Sequence, residues 1–432
     1  MPTATEQIES ILQRLKEQGI RAAPFAEAMD LARNHLDGVA DLAVAVMQRF
    51  PRGGTFLDAV LSFLPPDQWD TLVVGALDEF ASSEENEAAA SVLASASLQA
   101  LPALHPHLER IFRLRPNGDA YYENWPWRDS GTIDFDRCRL IIEDPSTEVE
   151  LRSKAWQAML ETRKPDVIDN VLMRLDSVTP TVVGLSAEES VEAYLEHVGF
   201  HWTDNRLERL SPPALYHLIF ADEFFAGQTR PPWLERVHPT WKLEPAPQLP
   251  SMSFGGSGTT HCRACDGFLQ RILILEPVPA GLGITELETL ELAVCLSCLG
   301  WERPVLFYEH SSGKSPEEIG YEGPRLPVQF PAGPLRETDV RLAETPARWK
   351  WQDWALSNSR ENLNRLGGEP CWVQSADYPH CPCCRDRMGF LLQLDSDLPT
   401  ADGEEWLWGS GGIGYGFWCD RCKVSGFHWQ CT

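Results

Sequence analysis

The chain has 432 residues, of which 43% are hydrophobic and 23% are charged, a composition of ordinary globular protein that excludes a largely disordered chain. Its formal net charge is −26, with 22 basic against 39 acidic residues over 1–250 and 15 against 24 over 251–432. Because Lys and Arg supply most of the affinity of nucleic-acid-binding proteins, this charge argues against a nucleic-acid ligand and favours a basic protein partner, although acidity that only serves solubility is the alternative.

The first predicted element is an amphipathic helix near the start of the chain. Thr3 and Glu6 have the spacing of a capping box, and four apolar residues with helical periodicity follow, from Ile8 to Leu15. This pattern predicts a helix of a globular domain and not a signal peptide. Apolar runs stay far below the roughly 20 residues that a membrane-spanning helix needs. We therefore expect a cytoplasmic protein.

Helical periodicity continues to about residue 177, as at Phe56, Val60, Leu61 and Leu64. Pro and Gly breaks divide this region into segments of about 12–17 residues. Helices of that length joined by short turns predict a HEAT-like α-solenoid over residues 1–180, in which stacked helix pairs bury a continuous core. No sharp repeat signature is present, so an irregular helical bundle is the alternative.

The next region, residues 181–245, is rich in aromatic residues, and we interpret it as a helical connector. A linker rich in Pro, Ser and Gly follows at 243–257. It predicts a domain boundary, after which a β-rich domain occupies residues 246–432. The complete expectation is a multidomain α+β protein with a helical first half.

Eight cysteines in the second half form four CxxC pairs, a spacing that lets one tight turn supply two thiolates to a tetrahedral Zn²⁺. Pairing each CxxC with its nearest neighbour predicts two Cys₄ zinc sites. Their ligands are Cys262, Cys265, Cys295 and Cys298 in the first, and Cys381, Cys384, Cys419 and Cys422 in the second. Cys383 competes with Cys384 for the second site, and the shared CxxC register favours Cys384.

Similar residues surround the two sites and predict an internal duplication. His261-Cys262 precedes Phe268-Leu269-Gln270, and His380-Cys381 precedes Phe390-Leu391-Leu392-Gln393. We expect β-rich units at about 246–310 and 348–432, separated by an irregular insertion.

A structural role for the zinc is favoured over a catalytic one, because four thiolates close the coordination shell whereas catalytic zinc keeps a position open for water. Disulfides or unrelated free thiols are the alternatives to zinc ligands, and the absence of any signal for an oxidising compartment argues against disulfides. The four cysteines outside the pairs, Cys138, Cys371, Cys383 and Cys431, are expected to be buried thiols.

Segments around the second site resemble a known family. They are Arg365–Gln374, the pair Cys381 and Cys384, Phe390–Ser396 and Gly411–Cys419. Together they are similar to bacterial YwqG-like proteins and to the eukaryotic programmed cell death protein 2 family. The resemblance implies a β-rich domain in proteins that act as chaperones of a nascent ribosomal protein or that occur in toxin and immunity settings.

These observations favour a protein-binding protein, either an immunity protein that masks a toxin or a client-specific chaperone, in a bacterial cytoplasm. An enzyme of unrecognised class is one alternative, but GxSxG, HExxH, Walker A and Rossmann motifs are absent from the sequence. A zinc-ribbon protein associated with nucleic acid is the other, and it would need a basic patch that this sequence lacks. We therefore expect no catalysis and no membrane association.

Overall fold

A computed structural model describes residues 2–19, 24–83, 85–114, 125–130, 135–144, 146–172, 187–203, 206–227, 240, 243–300, 302–311, 314–328, 333–357 and 360–432. The described residues divide into two compact units. The first contains those up to Val198 together with Ala347–Trp351, and the second contains the others from Gly199 onwards.

The first unit is helical. Its helices are α1 (Ala4–Gln18), α2 (Phe25–Asn34), α3 (Gly38–Arg49), α4 (Gly54–Leu61), α5 (Trp69–Ser82), α6 (Glu87–Gln99), α7 (Leu101–Leu104), α8 (Leu108–Phe112), α9 (Phe135–Glu143), α10 (Val149–Glu161), α11 (Pro165–Leu172) and α12 (Ala187–His197). Among the described residues, no helix combines the length and the apolar character that a membrane crossing requires.

The capping box predicted at the start of α1 is confirmed. The Glu6 carboxylate accepts a hydrogen bond of 2.8 Å from the Thr3 backbone N–H, and Thr3 Oγ1 accepts one of 3.3 Å from the Glu6 N–H. The apolar positions Phe56, Val60 and Leu61 are buried, as their spacing predicts. Propensity and periodicity thus account for the local structure of this unit.

Helices in the first part of this unit contact both the next helix in sequence and the one after it. The odd-numbered helices α1, α3 and α5 contact one another in sequence, and so do the even-numbered α2, α4 and α6. The two rows also contact each other, through α1 and α2, α3 and α4, and α5 and α6. Buried residues of both rows therefore share one core.

Ala347–Trp351 is remote in sequence from the other residues of the first unit. Trp349 and Trp351 are 2% and 5% exposed, and an Arg348 guanidinium donates to the Gln99 side chain at 3.1 Å. The short segment therefore contributes two large side chains to the interior of a helical unit whose other described residues lie at or before Val198.

A buried ion-pair network surrounds Trp351. The Arg128 and Arg163 guanidiniums lie 4.9 and 4.8 Å from its ring centroid, and each Nε is within 3.3 Å of Glu161 Oε2. Burial alone would raise the pKa of the Glu161 carboxyl, but Arg163, Arg128 and His197 hold it below the ordinary value. Glu161 is thus a buried anion that fixes the two cations against the indole.

The second unit is built on a twelve-stranded sheet. The strands of this unit are β1 (Phe200–Thr203), β2 (Arg206–Arg209), β3 (Leu215–Phe220), β4 (Met252–Phe254), β5 (Ser257–His261), β6 (Phe268–Leu275), β7 (Leu290–Val294), β8 (Leu306–Glu309), β9 (Glu317–Ile319), β10 (Thr338–Glu344), β11 (Arg365–Gly367), β12 (Gly389–Asp395), β13 (Leu398–Pro399), β14 (Glu405–Trp406), β15 (Ile413–Cys419) and β16 (Val424–Gln430). A short helix, α13, spans Trp354–Ser357.

The large sheet runs in the order β5-β6-β4-β10-β3-β11-β12-β15-β16-β8-β9, and β7 pairs with β6. The hairpin of β1 and β2 and that of β13 and β14 lie outside it. Its strand pairs are antiparallel, and its centre consists of strands that are far apart in sequence. The two cysteine clusters lie at turns of this sheet.

Strand β15 shows how the glycine-rich sequence Gly411–Gly416 is used. Tyr415 and Phe417 face one buried cluster, and Trp418 belongs to another, consistent with the alternation of a strand. A Cβ on Gly414 would lie 2.5 Å from the Trp408 ring, and one on Gly412 would lie 1.7 Å from the Gln430 carbonyl oxygen. The glycines at these positions therefore allow close packing.

Two predictions about the connecting regions are wrong. In the predicted helical connector 181–245, α12 is helical, but β1, β2 and β3 follow it. The β3 sequence LYHLIF is rich in aromatic and aliphatic residues that fit a sheet interior, and tertiary pairing on both sides overrides any local helical tendency. The second unit therefore starts at Gly199 and not at residue 246.

The insertion predicted between the two zinc units is also structured. It contains β9 and β10, of which β10 lies between β4 and β3 inside the sheet. The linker predicted at 243–257 likewise contains β4. Short strands flanked by Pro and Gly were mistaken for irregular sequence, because their partners are distant and leave no local signal.

Candidate metal centres

Site 1 consists of Cys262, Cys265, Cys295 and Cys298. The first two lie in the turn between β5 and β6, and the other two follow directly after β7. The Sγ atoms of Cys262 and Cys298 are 3.7 Å apart, those of Cys265 and Cys295 are 3.6 Å apart, and all four lie within 4.8 Å of one another. All four residues are buried. The structure thus brings together the four residues that their spacing predicts.

Site 2 consists of Cys381, Cys384, Cys419 and Cys422. The first pair precedes β12, and the second pair occupies the turn from β15 to β16. Cys384 Sγ is 3.6 Å from Cys419 Sγ, and the four sulfur atoms again lie within 4.8 Å of one another. Cys381 and Cys419 are buried, whereas Cys384 and Cys422 are partly exposed. This second predicted set is therefore also assembled, in a more open environment.

The sulfur separations fit a tetrahedral metal ion. A Zn–S bond of about 2.3 Å implies tetrahedral S–S edges of about 3.8 Å, close to the observed 3.6 and 3.7 Å, whereas a disulfide would need about 2.0 Å. None of the twelve cysteines, all of which the structure describes, forms a disulfide. Both clusters can therefore hold a metal ion with four sulfur ligands.

Cys383 lies outside the cluster that holds its neighbour Cys384, so the register chosen from the sequence agrees with the geometry. The expectation that it is buried is wrong, because its side chain is exposed. Cys138, Cys371 and Cys431 are buried, as expected. Exposure of Cys383 follows from its place in the turn, where Cys381 and Cys384 point inward.

The first turns of the two sites have the same backbone hydrogen bonds. At site 1 the Asp266 N–H donates to the Cys262 carbonyl at 2.9 Å, and His261 Nδ1 donates to the Asp266 carbonyl at 2.8 Å. At site 2 the Arg385 N–H and His380 Nδ1 make the corresponding bonds, at 2.9 and 2.8 Å. Asp266 and Arg385 both have positive φ, 62° and 68°. The histidines therefore support the turns and are not ligands.

The strand register after each turn also matches, at a difference of 119 residues. His261 pairs with Phe268, and His380 pairs with Arg387. A bulge falls between Arg271 and Leu273 in β6, and another falls between Phe390 and Leu392 in β12. Phe268 therefore corresponds to Arg387, and not to Phe390 as the similar sequence suggests.

Site 1 has a buried carboxylate beside it that the sequence did not reveal. Glu318 Oε2 accepts hydrogen bonds from Cys262 Sγ at 3.2 Å and from the Arg263 N–H at 2.9 Å, and Arg303 forms an ion pair with the same carboxylate. Burial raises the pKa of Glu318, and Arg303 opposes the rise. Arg303 follows the second CxxC pair closely, whereas Glu318 lies in β9 and reaches the site because β9 pairs with β8, where Glu318 is opposite Tyr308.

Hydrogen bonds among the thiols decide which of them loses its proton most easily. At site 1, hydrogen bonds with Cys295 and Cys298 lower the pKa of Cys262 far below its ordinary value. The same interaction with Cys262 raises the pKa of Cys298 to about 12. At site 2, burial raises the pKa of Cys422 to about 11. Four thiolates therefore form together only when a cation compensates their charge.

The second turn of site 2 is fixed by a polar network. Asp420 Oδ1 accepts from the Thr285 N–H at 2.8 Å, from Lys423 Nζ at 3.0 Å and from the Trp418 indole N–H at 3.1 Å. Burial opposes ionisation, but these donors lower the pKa of Asp420 to about 2. The ionised carboxylate thus joins the loop after β6 to the turn that carries Cys419 and Cys422.

Comparison with known proteins finds one limited similarity. A stretch of 70 residues is 42% identical to an uncharacterized protein, YpfL, of Salmonella typhimurium strain LT2, and it covers 16% of this chain and 15% of that protein. No family model matches the chain. No solved structure matches it either.

Proposed function

We propose that this chain is a protein-binding protein with two structural Zn²⁺ ions and no enzymatic activity. The observation that carries the proposal is that each site supplies four thiol ligands with tetrahedral spacing. A metal ion so bound has no position left for water or substrate, which is the property of structural zinc. The ions would act by holding turns of the sheet in a fixed geometry.

Zinc is the metal we assign, because a tetrahedral set of four sulfur ligands favours Zn²⁺ over cations that prefer oxygen. The sealed environment of site 1 supports the same assignment. Its four cysteines are buried, and the Tyr308 hydroxyl accepts a hydrogen bond of 2.9 Å from the Cys295 N–H. Such contacts orient a ligand and limit access of water.

Two features of the fold support a binding role. The two rows formed by α1, α3, α5 and α2, α4, α6 are the packing expected of a HEAT-like solenoid, which offers an extended surface to a partner. The matching turns and bulges of the two metal sites support an internal duplication in the β-rich part. Both features are typical of a scaffold that binds a partner.

The partner we propose is a basic protein, on the ground that a net charge of −26 attracts cationic surfaces and repels phosphate backbones. The resemblance of the second site to YwqG-like and programmed cell death protein 2-like domains supports the same view. Under it, the chain would be a cytoplasmic immunity protein that masks a toxin, or a chaperone that protects a client before assembly.

Affinity capture with the full chain from its native host tests this proposal, with zinc measured on the same sample by elemental analysis. We expect two zinc ions per chain and one dominant basic protein, released as salt is raised because screening weakens charge attraction. A bait of equal charge without cysteine clusters is the control. Absence of zinc would refute the metal assignment. Zinc without a stable partner, or with a partner that the control bait also captures, would refute the binding role.

A further inference from the structure

The two metal sites differ in how openly they present their ligands. At site 1 Cys262, Cys265, Cys295 and Cys298 are 1%, 6%, 1% and 5% exposed, and Glu318 with Arg303 covers the outer side of Cys262. At site 2 Cys384 and Cys422 are partly exposed. A reagent dissolved in water can therefore reach sulfur at site 2 more readily than at site 1.

Site 2 also has a fifth thiol, which site 1 lacks. Cys383 is exposed, and it lies in the same turn two residues after Cys381 and directly before Cys384, both of which belong to the cluster. The corresponding position of site 1, between Cys262 and Cys265, is the buried Ala264. One turn thus holds a thiol that faces water next to a thiol that holds the metal.

We propose that site 2 is a thiol-reactive metal site. Cys383 forms a mixed disulfide with a low-molecular-weight disulfide reagent, Cys381 then displaces the reagent to form a Cys381–Cys383 disulfide, and the metal ion is released. Site 1 keeps its ion under the same conditions. The inference rests on metal binding at both sites, and it does not depend on the proposed protein partner.

The chemistry is two successive thiol–disulfide exchanges. In the first, the Cys383 sulfur attacks one sulfur of the small disulfide, the S–S bond of that reagent breaks, and its other half leaves as a thiol that takes the Cys383 proton. In the second, the Cys381 thiolate attacks the Cys383 sulfur, and the remaining half of the reagent leaves as a thiolate. Cys381 and Cys383 are oxidised to a disulfide, the reagent is reduced to two thiols, and the metal ion loses one of four ligands.

The test uses the full chain loaded with two zinc ions and oxidised glutathione as the probe. Released zinc is followed with a chromogenic chelator, and the disulfide is located by mass spectrometry of peptides. We expect one zinc ion per chain to be released, the other to be retained, and a bond between Cys381 and Cys383. Dithiothreitol with added zinc should restore the original stoichiometry.

Two variants make the result specific. Cys383→Ser should bind two zinc ions and release the ion of site 2 at least about tenfold more slowly, because the entering thiol is missing. Cys138→Ser, which removes a buried thiol outside both sites, should react like the wild type. Equal release from both sites, an unchanged rate in Cys383→Ser, or a disulfide between Cys384 and Cys422 would each overturn the proposal. A chain that binds no zinc before the probe is added would instead refute the metal assignment.

Discussion

Replacing Trp351 by Ala should destabilise the helical unit severely, although Trp351 lies about 150 residues beyond the last helix of that unit in sequence. A buried Trp removes about 200 Å² from water, and at about 25 cal/mol per Å² this corresponds to about 5 kcal/mol. Residual burial in the unfolded chain reduces the figure by about 10–40%, to between about 3 and 4.5 kcal/mol.

The stacked guanidiniums of Arg128 and Arg163 add to this loss. Cation–π contacts contribute about 0.5–2 kcal/mol each, and the substitution removes these two together with that of Lys350, whose Nζ lies 4.6 Å from the ring centroid. The lower figures for burial and for the three cation–π contacts add to about 4.5 kcal/mol. We therefore expect Trp351→Ala to lower the free energy of unfolding by at least about 4.5 kcal/mol, a large part of the 5–15 kcal/mol typical of a domain. Trp351→Phe keeps an aromatic ring and should lose about half as much.

Urea unfolding followed by far-UV circular dichroism measures this effect, because the helical signal comes mainly from the first unit. Trp202→Ala is the control, since Trp202 is 39% exposed and belongs to the second unit. A loss below about 1 kcal/mol in Trp351→Ala would show that the segment Ala347–Trp351 is not part of the helical core.

Three further outcomes are expected. Cys295→Ala should reduce bound zinc from two ions to one per chain by elemental analysis, and retention of both would contradict the assignment of site 1. The pKa of Asp420 is lowered in the folded state, so its contribution to stability is complete above its unfolded pKa near 4 and is lost as the pH falls towards about 2. Asp420→Asn should therefore reduce the dependence of the free energy of unfolding on pH over that interval. An unchanged dependence would argue against the network around Asp420. Gly412→Ala should destabilise the second unit by about 1–3 kcal/mol or more in thermal unfolding, because its Cβ would meet a backbone oxygen, whereas Gly300→Ala, which meets nothing within 4 Å, should change little.

The metal ligands could be predicted because their signal is local. A CxxC turn carries its own geometry, so spacing alone selected eight residues that the structure assembles as two clusters. The buried Glu318 could not be found in this way, because a carboxylate becomes notable only when a distant strand places it against Cys262. Metal ligands within one turn can be recognised from the sequence, whereas contacts between residues of different strands depend on how those strands pair.

The helical first half was predictable for a related reason. Capping at Thr3 and apolar periodicity are properties of a few successive residues, and the structure confirms both. Strand β3 was missed because a six-residue apolar segment is ambiguous between helix and strand, and its partners β10 and β11 follow more than a hundred residues later. The place of Ala347–Trp351 in the helical unit could not be predicted for the same reason, because the segment is remote in sequence from the helices that it contacts.

The central position of β3 has a consequence for synthesis of the protein. On the ribosome this strand emerges roughly 120 residues before β10, which corresponds to about 6–24 s at elongation rates of about 5–20 residues per second. During that interval an apolar segment with two unpaired edges is exposed to the cell. We expect the nascent chain to recruit a chaperone at this stage and to be most vulnerable to aggregation there. The four cysteines of site 1 emerge within this interval, whereas those of site 2 follow it.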